Sequence, residues 1–213
     1  MKLYYIETMN PRKACATAKH LGVPLEYVHL QPGPGGTRSK DFAAINPNGT
    51  APVLVEGDRT LWESAAIAMH LATKAGSDMW PTRDLDAQME VLRWISWDAF
   101  HWSRTIGPFY FEHYVKPRLG LGEPDRTVRE RQTAAVERYA KILDAHLAGR
   151  DFVATGRLTI ADFCLDAMLP GWEQLDMPLE PYANVRRWHE GLMQIDAWRD
   201  PWPKNATPFV ANS

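Results

Sequence analysis

Cysteine is scarce: the 213 residues hold two, Cys15 and Cys164. They are far apart and each sits inside a helical pattern, so they offer neither a disulfide framework nor a set of thiolate metal ligands. Such usage suits a reducing compartment. Long apolar runs are missing as well. A membrane helix needs about 18 consecutive apolar residues, and Glu7, Arg12 and Lys13 break the N-terminal stretch before a secretory signal could form. Neither a membrane span nor export is expected, and a cytoplasmic protein is. An excess of charge of one sign is also lacking, since 24 basic residues are offset by 26 acidic ones. That leaves no electrostatic footprint for nucleic acid or anionic lipid. The seven histidines form no HExxH-like or Cys/His cluster, so no metal site is expected. What remains is ordinary globular material, 45% hydrophobic and 23% charged, able to bury a core unaided. Its expected partner is a small molecule.

The first 76 residues alternate between period-two and period-3.6 patterns, the signature of an α/β unit. A strand is expected at Lys2 to Ile6. A helix follows from about Pro11 to Leu21, with proline in its first turn and Gly22 as a left-handed stop. Leu25 to Leu30 reads as a second strand. After the Pro/Gly-rich loop 31–36, a short helix through Phe42 and Ala43 ends before turn residues 45–49. Pro52 to Val55 and Thr60 to Trp62 read as strands joined by a Gly57-Asp58 hairpin turn, and a helix runs from Glu63 to about Ala75. From Asp84 the texture is helical: Asp84 to about Tyr114, Asp125 to Leu147, Thr159 to about Leu169, and Tyr182 to Ile195. Pro81 and its polar neighbours form a linker. The expectation is an α/β domain over 1–78 and an all-helical domain over 85–213, with no internal repeat relating them.

Within INPNGTAPVL, residues 45–54, Pro52 opens a strand directly after a turn, an awkward place for a residue that cannot donate to a ladder. A cis Ala51–Pro52 bond would give it a purpose. The backbone N–H and C=O of Ala51 would turn outward, ready to pair with an extended peptide as an added strand. A trans proline on an edge strand is the plainer alternative. Eleven residues on, Glu63 and Ser64 stand at the first turn of a helix, where free N–H groups and the helix dipole suit a carboxylate and Glu63 can accept from an ammonium. An α-amino acid fits that spot, as an ordinary cap does.

INPNGTAPVL followed at this spacing by Glu63-Ser64 resembles the glutathione transferase superfamily, over nearly the whole chain. The resemblance implies a thioredoxin-like N-terminal domain, an all-α C-terminal domain, glutathione as co-substrate and a homodimer. RLTIADF, residues 157–163, is similar to the family's helical-domain capping box, in which Thr159 caps a helix and Asp162 reaches back. Thr50 is a departure, since many relatives carry a lysine there that reaches the glycine end of glutathione.

The activating position departs from the commonest patterns: no Ser or Cys follows the first strand. Tyr4 and Tyr5 lie within that strand and suit a sheet or core role. Thr8-Met9-Asn10 is similar to the Thr-x-Asn element of the bacterial nu class, followed as there by a basic stretch, Pro11-Arg12-Lys13. A free thiol of pKa ~8.5 is only a few per cent thiolate at neutral pH, and lowering it by about two units takes ~2.7 kcal/mol of preference for the anion. The Thr8 hydroxyl and Asn10 amide can donate to sulfur, and the helix N-terminus adds ~0.3–1 kcal/mol. Asn10 equally suits a plain N-cap.

By the same resemblance, Arg12, Lys13, Arg38 and Ser39 are candidates for the carboxylates of glutathione, with Arg38 opening the second helix, Thr50 for its glycine end, Ala51 and Pro52 for its backbone, and Asp98 for its ammonium from the other subunit. A solvated surface charge is the plainer alternative for each of the charged residues. Trp97, His101, Trp102, Phe109 and Tyr110 form an aromatic cluster, of which Trp97, His101, Trp102 and Phe109 are candidates for a second-substrate pocket, although helical spacing alone would make most of them core. The implied activity is a thiolate attack by bound glutathione on an electrophile, a disulfide or a hydroperoxide. Ring isomerisation, dehalogenation and a non-catalytic binding or scaffold role are the alternatives.

Overall fold

The computed structural model of the chain describes residues 1–211. It divides into two compact units, Met1–Thr82 together with the chain from Asp196 onward, and Arg83–Ile195. The expected helical domain over 85–213 is therefore too long at its end. From Asp196 the chain packs with the first unit, through contacts such as Arg12 with Trp198 that span 186 positions and leave no trace in local periodicity.

In the first unit the elements are β1 (Lys2–Tyr5), α1 (Met9–Leu21), β2 (Glu26–His29), α2 (Lys40–Ile45), β3 (Val53–Glu56), β4 (Arg59–Trp62) and α3 (Ser64–Lys74). The returning chain adds α10 (Asp196–Arg199) and the short β5 (Thr207–Pro208). One mixed sheet results, in the order β4-β3-β1-β2-β5. β1 pairs parallel with β2 and antiparallel with β3, β3 pairs antiparallel with β4, and β5 runs parallel to β2. This is the thioredoxin-like unit read from the sequence, extended by one strand.

Alternation along β1 sets the two faces. Leu3 and Tyr5 pack with Ala14, Cys15 and Ala18 of α1 and Ile67 and Leu71 of α3. Tyr4 faces the other way, with Phe42 of α2, Leu30 and Val53. Each such fully buried large side chain stabilises the fold by ~1.5–3 kcal/mol. The α1 helix stops at Gly22, whose φ of 64° lets its N–H cap the carbonyls of Ala18 and Lys19. The loop before α2 folds so tightly that a Cβ on Gly36 would lie 1.8 Å from the Gln31 carbonyl oxygen, which only glycine tolerates.

The second unit is all-α. The expected single helix from Asp84 to Tyr114 begins as read, with Asp84 capping the Ala87 N–H at 3.0 Å, but it is not uniform. It comprises α4 (Leu85–Trp97), a π turn (Asp98–Trp102), α5 (Ser103–Tyr110), a second π turn (Phe111–Val115) and α6 (Lys116–Arg118). Each π turn shifts which side chains face inward. Then come α7 (Val128–Leu147), α8 (Ile160–Leu165) and α9 (Ala183–Leu192). The Thr159–Asp162 capping box is present, and the fully buried Asp162 carboxylate also accepts from the Val153 N–H at 2.8 Å and the Trp188 indole N–H at 3.1 Å. No helix among the described residues is long and apolar enough to cross a membrane.

Candidate functional site

Strand register gathers three distant segments. Tyr4 of β1 lies opposite Val53 of β3, and Val53 lies opposite Trp62 of β4. The end of β1, the start of β3 and the end of β4 thus meet at one end of the sheet. There the chain sets the turn Ile6 to Thr8 leading into α1, the Ala51–Pro52 pair, and Glu63 leading into α3. The Ala51–Pro52 peptide bond is cis. Pro52 is buried and Ala51 half-buried, and because the ladder begins at Val53, the N–H and C=O of Ala51 are not committed to it.

The α1 helix begins earlier than the sequence suggested, at Met9. Thr8 is its N-cap residue, with φ −133° and ψ 173°, and makes no side-chain cap hydrogen bond. Asn10 is therefore not the cap but part of the first turn, and the Thr8 hydroxyl is not spent on the backbone. Pro11 brings no N–H, so the turn's donors without intrahelical partners are the N–H groups of Met9 and Asn10. Asn10 meets a second candidate directly: its Oδ1 is 3.5 Å from the Ser64 Oγ, the outer limit of a hydrogen bond. With the carbonyl end turned to Ser64, the Asn10 amide directs its N–H groups elsewhere. Residues 54 positions apart are thus brought side by side.

Glu63 is not in the helix, as the sequence had it, but is the N-cap residue of α3, exposed, at φ 71° and ψ 116°. A side chain with a Cβ held there is strained. Ser64 opens the helix and is 7% exposed. A rigid helix start with free N–H groups lies beside an accessible carboxylate, which suits a group carrying both an anion and an ammonium.

Other candidates lie elsewhere. The Arg12 guanidinium donates to the Trp198 carbonyl and lies 4.9 Å from the Trp198 ring centre, so it is engaged with the returning chain, which no sequence signal announced. Lys13 is buried. Ser39 caps α2, accepting from the Phe42 N–H at 3.1 Å and donating to the Gly36 carbonyl at 2.8 Å. Arg38 precedes that cap instead of opening the helix, and it is exposed. Thr50 is exposed too, its carbonyl held by the Asn46 amide at 2.7 Å. Tyr5 is buried against Trp202, His29 and Tyr27, and desolvation pushes its hydroxyl up to about 12. Burial likewise raises the Cys15 thiol, which keeps it inert. A cavity of about 450 Å³ lies at the opposite end of the sheet, lined by Met1, Lys2 and Glu26 among others, and carries none of these groups.

In the second unit Asp98 is 3% exposed and accepts from the Ser103 hydroxyl at 2.7 Å, a buried acid where a surface one was expected. Trp102 and Phe109 are fully buried, the Trp102 indole donating to the Leu165 carbonyl at 3.0 Å. They are core residues, and Tyr110 is buried as well. Trp97 is half-buried and His101 exposed, with His101 stacked on Tyr139 at 5.2 Å. Trp97 lines a cavity of about 280 Å³ with Arg93, Trp94, Ile142 and His146.

A thioredoxin-like unit carrying a cis-proline beside two helix starts, and a second unit that is all-α, define a two-domain class of protein. Comparison with known proteins names it. The family model for the glutathione S-transferase N-terminal domain matches residues 1–73, and that for the C-terminal domain matches 102–196. Glutathione S-transferase 3 of Zea mays is 30% identical over 207 residues, covering 93% of this chain and 91% of its own. Human glutathione S-transferase theta-2B is 32% identical over 183 residues, 85% of this chain and 71% of its own. A theta class enzyme of Xanthomonas axonopodis pv. citri, solved with glutathione bound, superposes with a TM-score of 0.78 at 24% identity, covering 97% and 98% of the two chains. The chain belongs to the glutathione S-transferase family, and that membership supports a glutathione-dependent transferase activity.

Proposed function

We propose that this protein binds glutathione along the start of β3 and uses its thiolate as a nucleophile. The carrying observation is that Thr8, Asn10, cis-Pro52, Glu63 and Ser64 converge on one end of the sheet. The peptide extends β3 through the N–H and C=O of Ala51, beside Pro52. Its γ-glutamyl ammonium meets the Glu63 carboxylate, and its α-carboxylate meets Ser64 and the first N–H groups of α3. On arrival the carboxylate draws the Ser64 hydroxyl from its long contact with Asn10. Arg38 and Thr50, both exposed near this segment in sequence, are left for the glycine end.

The sulfur lies at the start of α1. The Thr8 hydroxyl, the Asn10 amide and the helix N-terminus favour the anion, and no general base is required. Two donors at ~1 kcal/mol each plus ~0.3–1 kcal/mol from the dipole come close to the ~2.7 kcal/mol that a two-unit shift needs. Conjugation to an electrophile, disulfide exchange and hydroperoxide reduction all begin from this thiolate, and the resemblance of Thr8-Met9-Asn10 to the nu class favours the last two. Trp97 and His101 are the aromatic candidates still accessible to a second substrate. A homodimer in the cytoplasm completes the reading. Leu85, Met89, Leu92 and Phe100 are 68%, 50%, 38% and 65% exposed on the α4 helix and the turn after it, an apolar stripe suited to a second copy. Calorimetric titration with glutathione, followed by ultraviolet absorbance of the bound thiolate against pH, tests the proposal. Failure to bind glutathione would leave the scaffold role as the better account.

A further inference from the structure

The chain after Asp196 grips α1 at both ends. In the last turn, Lys19 donates to the Asp200 backbone carbonyl and approaches its carboxylate at 3.2 Å. In the first turn, the Arg12 guanidinium donates to the carbonyl of the fully buried Trp198 and lies 4.9 Å from the centre of its ring. The two grips act on different things. Lys19 is exposed and far from the sheet end that carries the site. The Arg12 amide N–H, by contrast, closes the first turn on the Thr8 carbonyl at 3.0 Å, so the residue that grips Trp198 also fixes the turn bearing Thr8 and Asn10. That turn needs outside support. Helix ends fray, and Thr8 makes no side-chain cap bond.

We propose that Arg12 is a positioning residue. It locks the first turn of α1 to the carbonyl and ring of Trp198, and so holds the Thr8 hydroxyl and Asn10 amide at the distance that stabilises a thiolate. The inference rests on the reading of Thr8 and Asn10 as sulfur donors. Donors aimed at a developing or resident charge act only when held within ~0.5 Å of their place. A guanidinium suits the task because its plane lies over an aromatic ring while its edge donates to an oxygen, which an ammonium cannot do at once.

The test is the ultraviolet titration of glutathione bound to Arg12→Met, Arg12→Lys, Lys19→Met and Asn10→Ala, with calorimetric affinity and thermal unfolding of each. Arg12→Met should raise the bound thiol's pKa by up to about one unit, a several-fold smaller thiolate fraction at neutral pH, while glutathione affinity changes less than about threefold. Arg12→Lys should recover part of the shift. Lys19→Met should lower the melting temperature and leave the titration alone. Arg12→Met with a lower melting temperature but an unchanged titration would make the contact merely structural and overturn the proposal. Weaker binding with an unchanged titration would instead make Arg12 a ligand of a glutathione carboxylate, and overturn it equally. Should Arg12→Met fail to fold, Trp198→Phe, which weakens the ring beneath the guanidinium and keeps the carbonyl, should give a smaller shift in the same direction, and no shift would count against the proposal. If Asn10→Ala shifts the titration and Arg12→Met does not, only the positioning role falls. If Asn10→Ala leaves it unchanged, the sulfur-donor reading fails with it.

Discussion

Glu63 enters α3 at φ 71° and ψ 116°, a conformation that costs a residue with a Cβ ~1–3 kcal/mol. Glycine escapes that cost, though its freer unfolded chain returns ~0.5–1 kcal/mol of it. Glu63→Gly should therefore stabilise the protein by about 1 kcal/mol and raise its melting temperature by roughly 2–4 °C. The same change removes the carboxylate proposed to meet the γ-glutamyl ammonium. A charged hydrogen bond of ~1.5–3 kcal/mol is lost, so glutathione affinity should fall ten- to a hundredfold. Glu63→Ala separates the two effects, because alanine loses the carboxylate yet keeps the strain. Thermal unfolding without ligand and calorimetry with glutathione read both quantities on all three proteins. Stability should rank glycine above glutamate and alanine, and affinity should rank glutamate above both variants. Equal melting temperatures for the glycine and alanine variants would refute the strain argument, and parent-like affinity in both would remove Glu63 from the site.

Four further outcomes are expected. Ser64→Ala should weaken glutathione binding by roughly tenfold or more with little loss of fold, by calorimetry. Thr8→Val and Asn10→Ala should each raise the bound thiol's pKa by somewhat under one unit, and the double variant should approach the sum unless the two donors are coupled, by ultraviolet titration. Burial pushes the Asp162 carboxyl from 3.8 up to about 6; the native state then holds the proton more tightly than the unfolded chain, so this group's contribution to stability is full at low pH and is lost as pH rises between those values. Asp162→Asn should flatten that slope. Val153 and Trp188 donate to one carboxylate oxygen and the Thr159 N–H and hydroxyl to the other, so an amide nitrogen in place of either oxygen leaves one of these pairs unaccepted, which should cost at least about 2 kcal/mol in denaturant unfolding. Leu92→Glu with Met89→Lys should convert a dimer to monomer in analytical ultracentrifugation, and a parent that sediments as a monomer would refute the apolar-stripe argument.

Local chemistry was legible in the sequence, and contacts across the chain were not. Pro52 after a turn, Glu63-Ser64 before an apolar helix, and Thr159 with Asp162 each carry their meaning within a few residues, and the structure has a cis bond, a helix start and a capping box at those positions. Gly22 likewise announced the end of α1. The start of α1 was misjudged by two residues because Asn10 and Thr8 are both good caps and only the backbone decides between them. Arg12 is a ligand-binding candidate only by the family resemblance, and its partner Trp198 lies 186 positions away, beyond any local signal. Asp98 suits a solvated surface as far as the sequence goes, yet it opens a π turn and is 3% exposed. Trp102 and Phe109 belong to the core for the reason that helical spacing gave.

β5 is two residues long, yet it alters the order in which the first unit can be finished. During translation the backbone of β2 is complete once residue 29 has been added, but its outer neighbours, Thr207 and Pro208 in the ladder and the Phe209 N–H that donates to the His29 carbonyl at 2.9 Å, are among the late residues. At ~5–20 residues per second the ribosome needs roughly ten to forty seconds to bridge that gap. Throughout it, β2 presents an open row of N–H and C=O groups of the kind that recruits strands from neighbouring nascent chains. A polysome making this protein therefore carries, on every chain long enough to have released β2 but not yet extended to Thr207, a sheet edge whose own partner has not yet been translated.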